Sequence, residues 1–126
     1  MEVKIDTKEK LHVLTPNARV LTANLASELA LEVTKLQARE IKNIVLNLSK
    51  TDTIENDTAA EKLAKLQQQS HENNASFVIC HLNAEVEKKL DDLDLLDSMN
   101  ITPTESEAMD IVQMEEIERE LLDGLE

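Results

Sequence analysis

The stretch Ile44 to Glu61, IVLNLSKTDTIENDTAAE, decides the fold. Ile44, Val45, Leu46 and Leu48 form a nearly continuous apolar run, the pattern of a strand covered on both faces in a parallel sheet. Thr58 and Glu61 then match a capping box, with the Thr58 hydroxyl accepting from a backbone N–H and Glu61 reaching back. A helix is expected to start there. The tip Glu55-Asn56-Asp57-Thr58 therefore lies just outside the carboxyl end of a strand, where open α/β sheets usually place their function. It carries two carboxylates and no glycine, which makes it a poor phosphate cradle and a good presenter of negative charge.

The flanking sequence extends this strand–helix unit in both directions. Val3 and Ile5 alternate with charged residues, and Leu11, Val13 and Leu14 follow the polar DTKEK, so two short strands are expected to form a hairpin. Pro16-Asn17 ends the second. Leu25, Leu29, Val33 and Leu36 recur at helical spacing over residues 23–39. The helix after Asp57 uses Ala59, Leu63 and Leu66 and is expected to fray in QQQSHENN. SFVICH, Ser76 to His81, reads as a further buried strand. Asn83 can cap a helix carrying Val86 and Leu90. Asp91 to Asn100 reads as a connection plugged by Leu93, Leu95, Leu96 and Met99. Ile101 is expected in a short edge strand stopped by Pro103, and Thr104 with Glu107 gives a second capping-box match. Strand–helix alternation of this kind predicts right-handed crossovers and a mostly parallel sheet.

The last helix is expected to run from there to about Leu122. At about 18 residues it would span roughly 27 Å, more than short strands require. Its far half, Glu115 to Glu126, mixes Ile117, Leu121 and Leu122 with Glu116, Glu118 and Glu120. Two readings stand: a terminal helix docked on its own core, or an overhanging amphipathic segment for a partner or a second copy. The expected organisation is a domain over residues 1–114 with an acidic amphipathic helical extension over 115–126.

Bulk composition sets limits on function. The chain has 126 residues, about one domain's worth. Aromatic content is 1%, with Phe77 the only ring, so the core must be aliphatic and a flat aromatic pocket is not expected. No run approaches the roughly 20 apolar residues of a membrane span, and MEVKIDTKEK lacks the basic-then-apolar order of a signal peptide. The single cysteine, Cys80, excludes an internal disulfide and fits a reducing cytoplasm. Net charge is −13, and residues 85–126, with 3 basic and 15 acidic side chains, carry nearly all of it. Such acidity argues against nucleic-acid or anionic-membrane binding and permits a basic protein partner. A solvated face is the plainer account of the charge run.

Chemical constellations are sparse. His12, His71 and His81 fall on different elements without ligand spacing, so no metal is expected. Cys80, inside an apolar run, reads as a core residue rather than a nucleophile. The one glycine, Gly124, rules out glycine-rich nucleotide loops, and no cofactor is expected. Asp91, Asp92, Asp94 and Asp97 lack the glycine and closing glutamate of a calcium loop. Glu55 and Asp57 have no evident pocket or catalytic helper, so an enzyme is not expected.

From about residue 3 to 114 the chain resembles STAS domains, the fold of bacterial anti-sigma factor antagonists and of the cytoplasmic portion of sulphate transporters. NIVLNLSKTDTIENDTAAEKL looks like the family's strand-then-helix signature. SFVICHLNAEVEKKLDDLDLLDSMNITPTESEAM resembles its strand, capped helix, leucine-rich connection, short strand and closing helix, with Thr104-Glu105-Ser106-Glu107-Ala108 as the "T-x-x-E-A" phrase. The resemblance implies an α/β fold with a mixed, mostly parallel four- to five-stranded sheet and surrounding helices. It also implies partner switching: an antagonist captures an anti-sigma factor, often a kinase, and phosphorylation at the start of the second helix reverses the capture.

The family's phrase at that site, Asp-Ser-Ser/Thr-Gly, falls on Glu55, Asn56, Asp57 and Thr58. The usual phosphoacceptor position is Asp57, which a serine/threonine kinase cannot modify. Either it holds a fixed negative charge where relatives carry a switchable one, or the site has lost its switch and Asp57 serves the helix N-terminus. Thr53 and Thr58 remain possible acceptors, Thr58 being the better candidate for a helix cap. The expected partner-binding surface is Thr22, Asn24, Thr53, Glu55, Asn56, Asp57 and Thr58, on a cytoplasmic, non-catalytic protein. The alternative is an accessory or scaffold subunit of a membrane lipid-transport ATPase or larger signalling complex.

Overall fold

The computed structural model describes residues 2–124. Strands β1 (Val3–Thr7) and β2 (Leu11–Pro16) form the hairpin, followed by β3 (Val20–Leu21), α1 (Ala23–Gln37), β4 (Asn43–Asn47), β5 (Thr53–Ile54), α2 (Asp57–Glu72), β6 (Phe77–Cys80), α3 (Ala84–Asp92), β7 (Ile101–Thr102) and α4 (Glu105–Gly124). The main sheet has five strands in the order β1-β2-β4-β6-β7, antiparallel only at β1–β2.

That order dictates where the helices go. Each crossover moves one strand further in the same direction, and right-handed crossovers then put α1, α2 and α3 on one face. The strand residues alternate accordingly. Leu14, Ile44, Leu46, Phe77 and Ile79 join Leu29, Val33, Leu63 and Leu66 in the larger core. Leu11, Val13, Val45, Val78 and Cys80 point the other way, to a smaller core closed by Ala108 and Val112 of α4. Without α4 this second face would be bare, so the last helix is docked over its first half.

The second half of α4 is held differently. Asn43, buried at the start of β4, donates from Nδ2 to the Lys10 carbonyl (2.9 Å) and to Glu116 Oε1 (3.0 Å). Arg119 Nη2 donates to Asn43 Oδ1 (3.1 Å), Ser76 Oγ (3.1 Å) and Glu116 Oε1 (2.8 Å). The hydrogen bonds from Arg119 and Asn43 hold the Glu116 carboxyl below the usual carboxylate range. Glu105 at the other end of α4 accepts from Asn47, the last residue of β4. The helix thus runs along the whole strand, with Met114, Ile117, Leu121 and Leu122 exposed in its second half. Residues 1, 125 and 126 of the expected domain and extension lie outside the described residues.

Three local expectations are corrected. Asn56, not Thr58, caps α2: its side chain accepts from the Ala59 N–H at 3.0 Å, and Thr58 lies inside the first turn. Asparagine in extended backbone competes well with threonine for this role. The segment QQQSHE does not fray but completes α2, because Ser70 is buried and accepts from Gln37 Nε2 of α1 at 2.8 Å. Asp91 and Asp92 belong to α3 rather than to the connection after it.

With a single glycine in the chain, helix ends recruit other residues into the left-handed region. Asn74 (φ 57°) follows α2 and Asp94 (φ 57°) follows α3. Each end shows the paired bonds of a Schellman motif: Ala75 N–H to Ser70 O with Asn74 N–H to His71 O, and Leu95 N–H to Leu90 O with Asp94 N–H to Asp91 O.

Candidate partner-binding site

A feature too short to be legible from periodicity assembles the site. Strands β3 and β5 form a separate two-stranded parallel ladder, Val20 against Thr53 and Leu21 against Ile54. The Glu55 N–H continues it to the Leu21 carbonyl at 2.9 Å. This register sets Thr22 beside Glu55, so the start of α1 and the approach to α2 share one edge. Thr22 is the α1 cap, accepting from the Leu25 N–H at 3.1 Å, and Asn24 stands exposed in the first turn. Glu55, Asn56, Asp57 and Thr58 are all exposed and Thr53 is half-buried. All seven expected residues therefore lie on the rim at the carboxyl ends of the central strands.

Helix α3 supplies residues that sequence reasoning missed. Asn83, its cap, also donates from Nδ2 to the Asp52 carbonyl at 2.7 Å. Thr53 Oγ1 donates to Glu85 at 3.1 Å, and Lys89 Nζ lies 2.8 Å from Asp57 Oδ1. Glu85 and Lys89 are one turn apart, hence on one face of α3. That i, i+4 spacing after a capping asparagine was the available signal. Arg19 Nε pairs with Asp52 Oδ2 at 3.1 Å, closing the other side of the loop.

The rim is exposed and tied together by hydrogen bonds and ion pairs from three helices and the β3–β5 ladder. Asp57 in the first turn of α2 is favoured by the helix dipole, and its pairing with Lys89 fixes its position. Among the described residues no group of three or more histidine, cysteine or acidic side chains is arranged to hold a metal. Cys80 is fully buried under α4, and burial, with the nearby Glu105 carboxylate, pushes its thiol up to about 12. It is no nucleophile at neutral pH.

The family model for the STAS domain matches residues 2–108. The chain belongs to the STAS domain family. Solved structures agree with the fold of this STAS domain. It is similar to a Thermotoga maritima protein provisionally described as an anti-sigma factor antagonist, at 21% identity and TM-score 0.78, covering 88% of this chain and 94% of that one. An anti-sigma factor antagonist from Mycobacterium paratuberculosis superposes at 14% identity and TM-score 0.73, covering 89% and 93%. The murine solute carrier 26 family member A9 anion transporter contains a matching region at 12% identity and TM-score 0.70, covering 86% of this chain and 18% of the transporter. Curated protein sequences give no match. Among the described residues no helix is long and apolar enough to cross a membrane.

Proposed function

We propose that this STAS domain is a non-catalytic cytoplasmic regulator that captures a protein partner, an anti-sigma factor or kinase-type regulator, through the rim Thr22, Asn24, Thr53 and Glu55–Thr58. The observation that carries the reading is Asp57. By the family resemblance it falls at the phosphoacceptor position, and it is exposed at the start of α2 and paired with Lys89. A serine/threonine kinase cannot modify a carboxylate, so capture by this domain is not reversed by phosphorylation at that position. Affinity capture from native lysate with wild-type protein and an Asp57→Arg variant tests it. Retention of an anti-sigma factor or ATPase of the kinase type by the wild type, and its loss in the variant, supports the reading. Equal retention by both refutes the assignment of the rim.

A second reading, an accessory or scaffold subunit, draws on the acidic extension of α4 and on the likeness to a region of an anion transporter. The exposed Met114, Ile117, Leu121 and Leu122 favour it. Truncation must spare Glu116 and Arg119, which hold the helix to β4 and β6. Removing residues 121–126 and losing a membrane-complex partner that Asp57→Arg retains would favour the scaffold.

A further inference from the structure

We infer that the free edge of β1 is a homodimer interface in which two copies pair antiparallel about a two-fold axis through Ile5. β1 is the outer strand of the sheet, bonded only to β2. The hairpin register, with bonds from the Asn17 N–H to the Glu2 carbonyl and from the Lys8 N–H to the Leu11 carbonyl, fixes which groups point inward. Glu2, Lys4, Asp6 and Lys8 exchange bonds with β2. Alternation then turns the N–H and C=O groups of Val3, Ile5 and Thr7 off the sheet.

Those three outward residues are symmetric about Ile5. In an antiparallel pair centred there, Ile5 faces the second copy's Ile5, and Val3 faces the second copy's Thr7. Each such pair can exchange both of its N–H···O bonds. The charged residues between them are complementary in the same register. In EVKIDTK, Glu2 meets the second copy's Lys8 and Lys4 meets the second copy's Asp6. Opposite charges directly across strands stabilise and like charges destabilise. A two-residue slip towards the amino end sets Lys4 against Lys4 and Glu2 against Asp6. The opposite slip sets Asp6 against Asp6 and Lys4 against Lys8. Charge therefore selects one register. Within one copy Lys8 already lies 3.4 Å from Asp6, so the dimer would extend an existing pair into a network.

Apolar side chains lie where such a pair would close. Ile5 is 41% exposed and Leu31 of α1 is 63% exposed, and both line a groove with Val3, Glu28, Glu32 and Lys35. Ile5 sits opposite Leu14, on the face covered by α1, so the two-fold brings two Ile5 side chains together beside the Leu31 pair. Charged edges commonly guard against association; here their alternation of sign permits one self-pairing and opposes the others. This surface lies away from the Asp57 rim, and its test does not depend on any captured partner.

The experiment is sedimentation equilibrium of the full chain, from micromolar to millimolar, at about 0.15 M salt, where the Debye length is about 8 Å. Wild-type protein is expected to show a reversible dimer. Lys4→Asp and Asp6→Lys, each at an exposed side chain, are each expected to weaken dimerisation at least tenfold, and the double swap to restore it. Ile5→Cys should oxidise to a covalent dimer, since an opposed hydrogen-bonded pair has Cα atoms about 5.5 Å apart, within disulfide reach. A monomer throughout the range, a dimer indifferent to the single swaps, or a double swap that stays weakened overturns the inference.

Discussion

Asp57 Oδ1 and Lys89 Nζ, 2.8 Å apart, join the first turn of α2 to α3 at the candidate site. The pair is partly exposed, so solvent screens it. Its effect is to position the Asp57 carboxylate, and less to stabilise the fold.

Lys89→Ala is accordingly expected to lower unfolding free energy by no more than about 1 kcal/mol. Urea titration of wild type and variant checks this. A much larger loss would mean that Lys89 supports the packing of α3, not the position of Asp57.

Capping distinguishes Asn56 from Thr58. Asn56→Ala removes the acceptor of the Ala59 N–H and should cost about 1 kcal/mol. Thr58→Ala, inside the exposed first turn, should stay within about 0.5 kcal/mol. The reverse ranking in denaturant titrations would restore Thr58 as the cap.

The main strands and helices were legible because apolar periodicity carries them: Ile44–Leu46 and Phe77–Cys80 are buried on both faces, and α1 buries Ala26, Leu29, Val33 and Leu36. The β3–β5 ladder was not, because strands of two residues have no period to read. The cap at Asn56 was missed because Thr58 and Glu61 match the capping-box pattern, whereas only the backbone shows that the helix already starts at Asp57. Of the candidate site, the rim residues could be named from strand–helix order and family resemblance. Glu85 and Lys89 were signalled only by their i, i+4 spacing after Asn83, and their role depends on how α3 packs against the loop.

Cys80 links the smaller core to alkaline stability. Its thiol is pushed up from 9.0 to about 12 in the folded protein. The folded state therefore keeps its proton where the unfolded state loses it. The contribution is complete below pH 9.0 and declines as pH rises towards about 12, by at most about 1.4 kcal/mol per pH unit. Cys80→Ala should lose stability less steeply than wild type above pH 9.0, measured by urea midpoints across that window.

Asn74 and Asp94 adopt a backbone region that glycine occupies without penalty. Asp94→Gly is expected to raise stability by up to about 1 kcal/mol, because relief of the left-handed strain exceeds the entropy that glycine adds to the unfolded chain. A lower melting temperature in calorimetry would show that the Asp94 side chain supports the turn by more than this strain costs.

The Arg119–Glu116–Asn43 cluster makes the attachment of α4 sensitive to acid. Glu116 has its carboxyl lowered below 4.5 by the hydrogen bonds it accepts from Arg119 and Asn43. A carboxyl lowered on folding contributes stability that is present above pH 4.5 and lost as pH falls through its folded value. Glu116→Gln keeps an acceptor oxygen for both donors but removes the titration. It should cost about 1 kcal/mol at neutral pH and show a shallower acid limb than wild type. Arg119→Ala should flatten the same limb, since it removes the first cause of the lowering. Combining the two should add little to the pH dependence of either alone, as residues sharing one network are not additive. Parallel acid limbs in all four proteins, followed by circular dichroism in urea, would place the acid sensitivity elsewhere in this acidic chain.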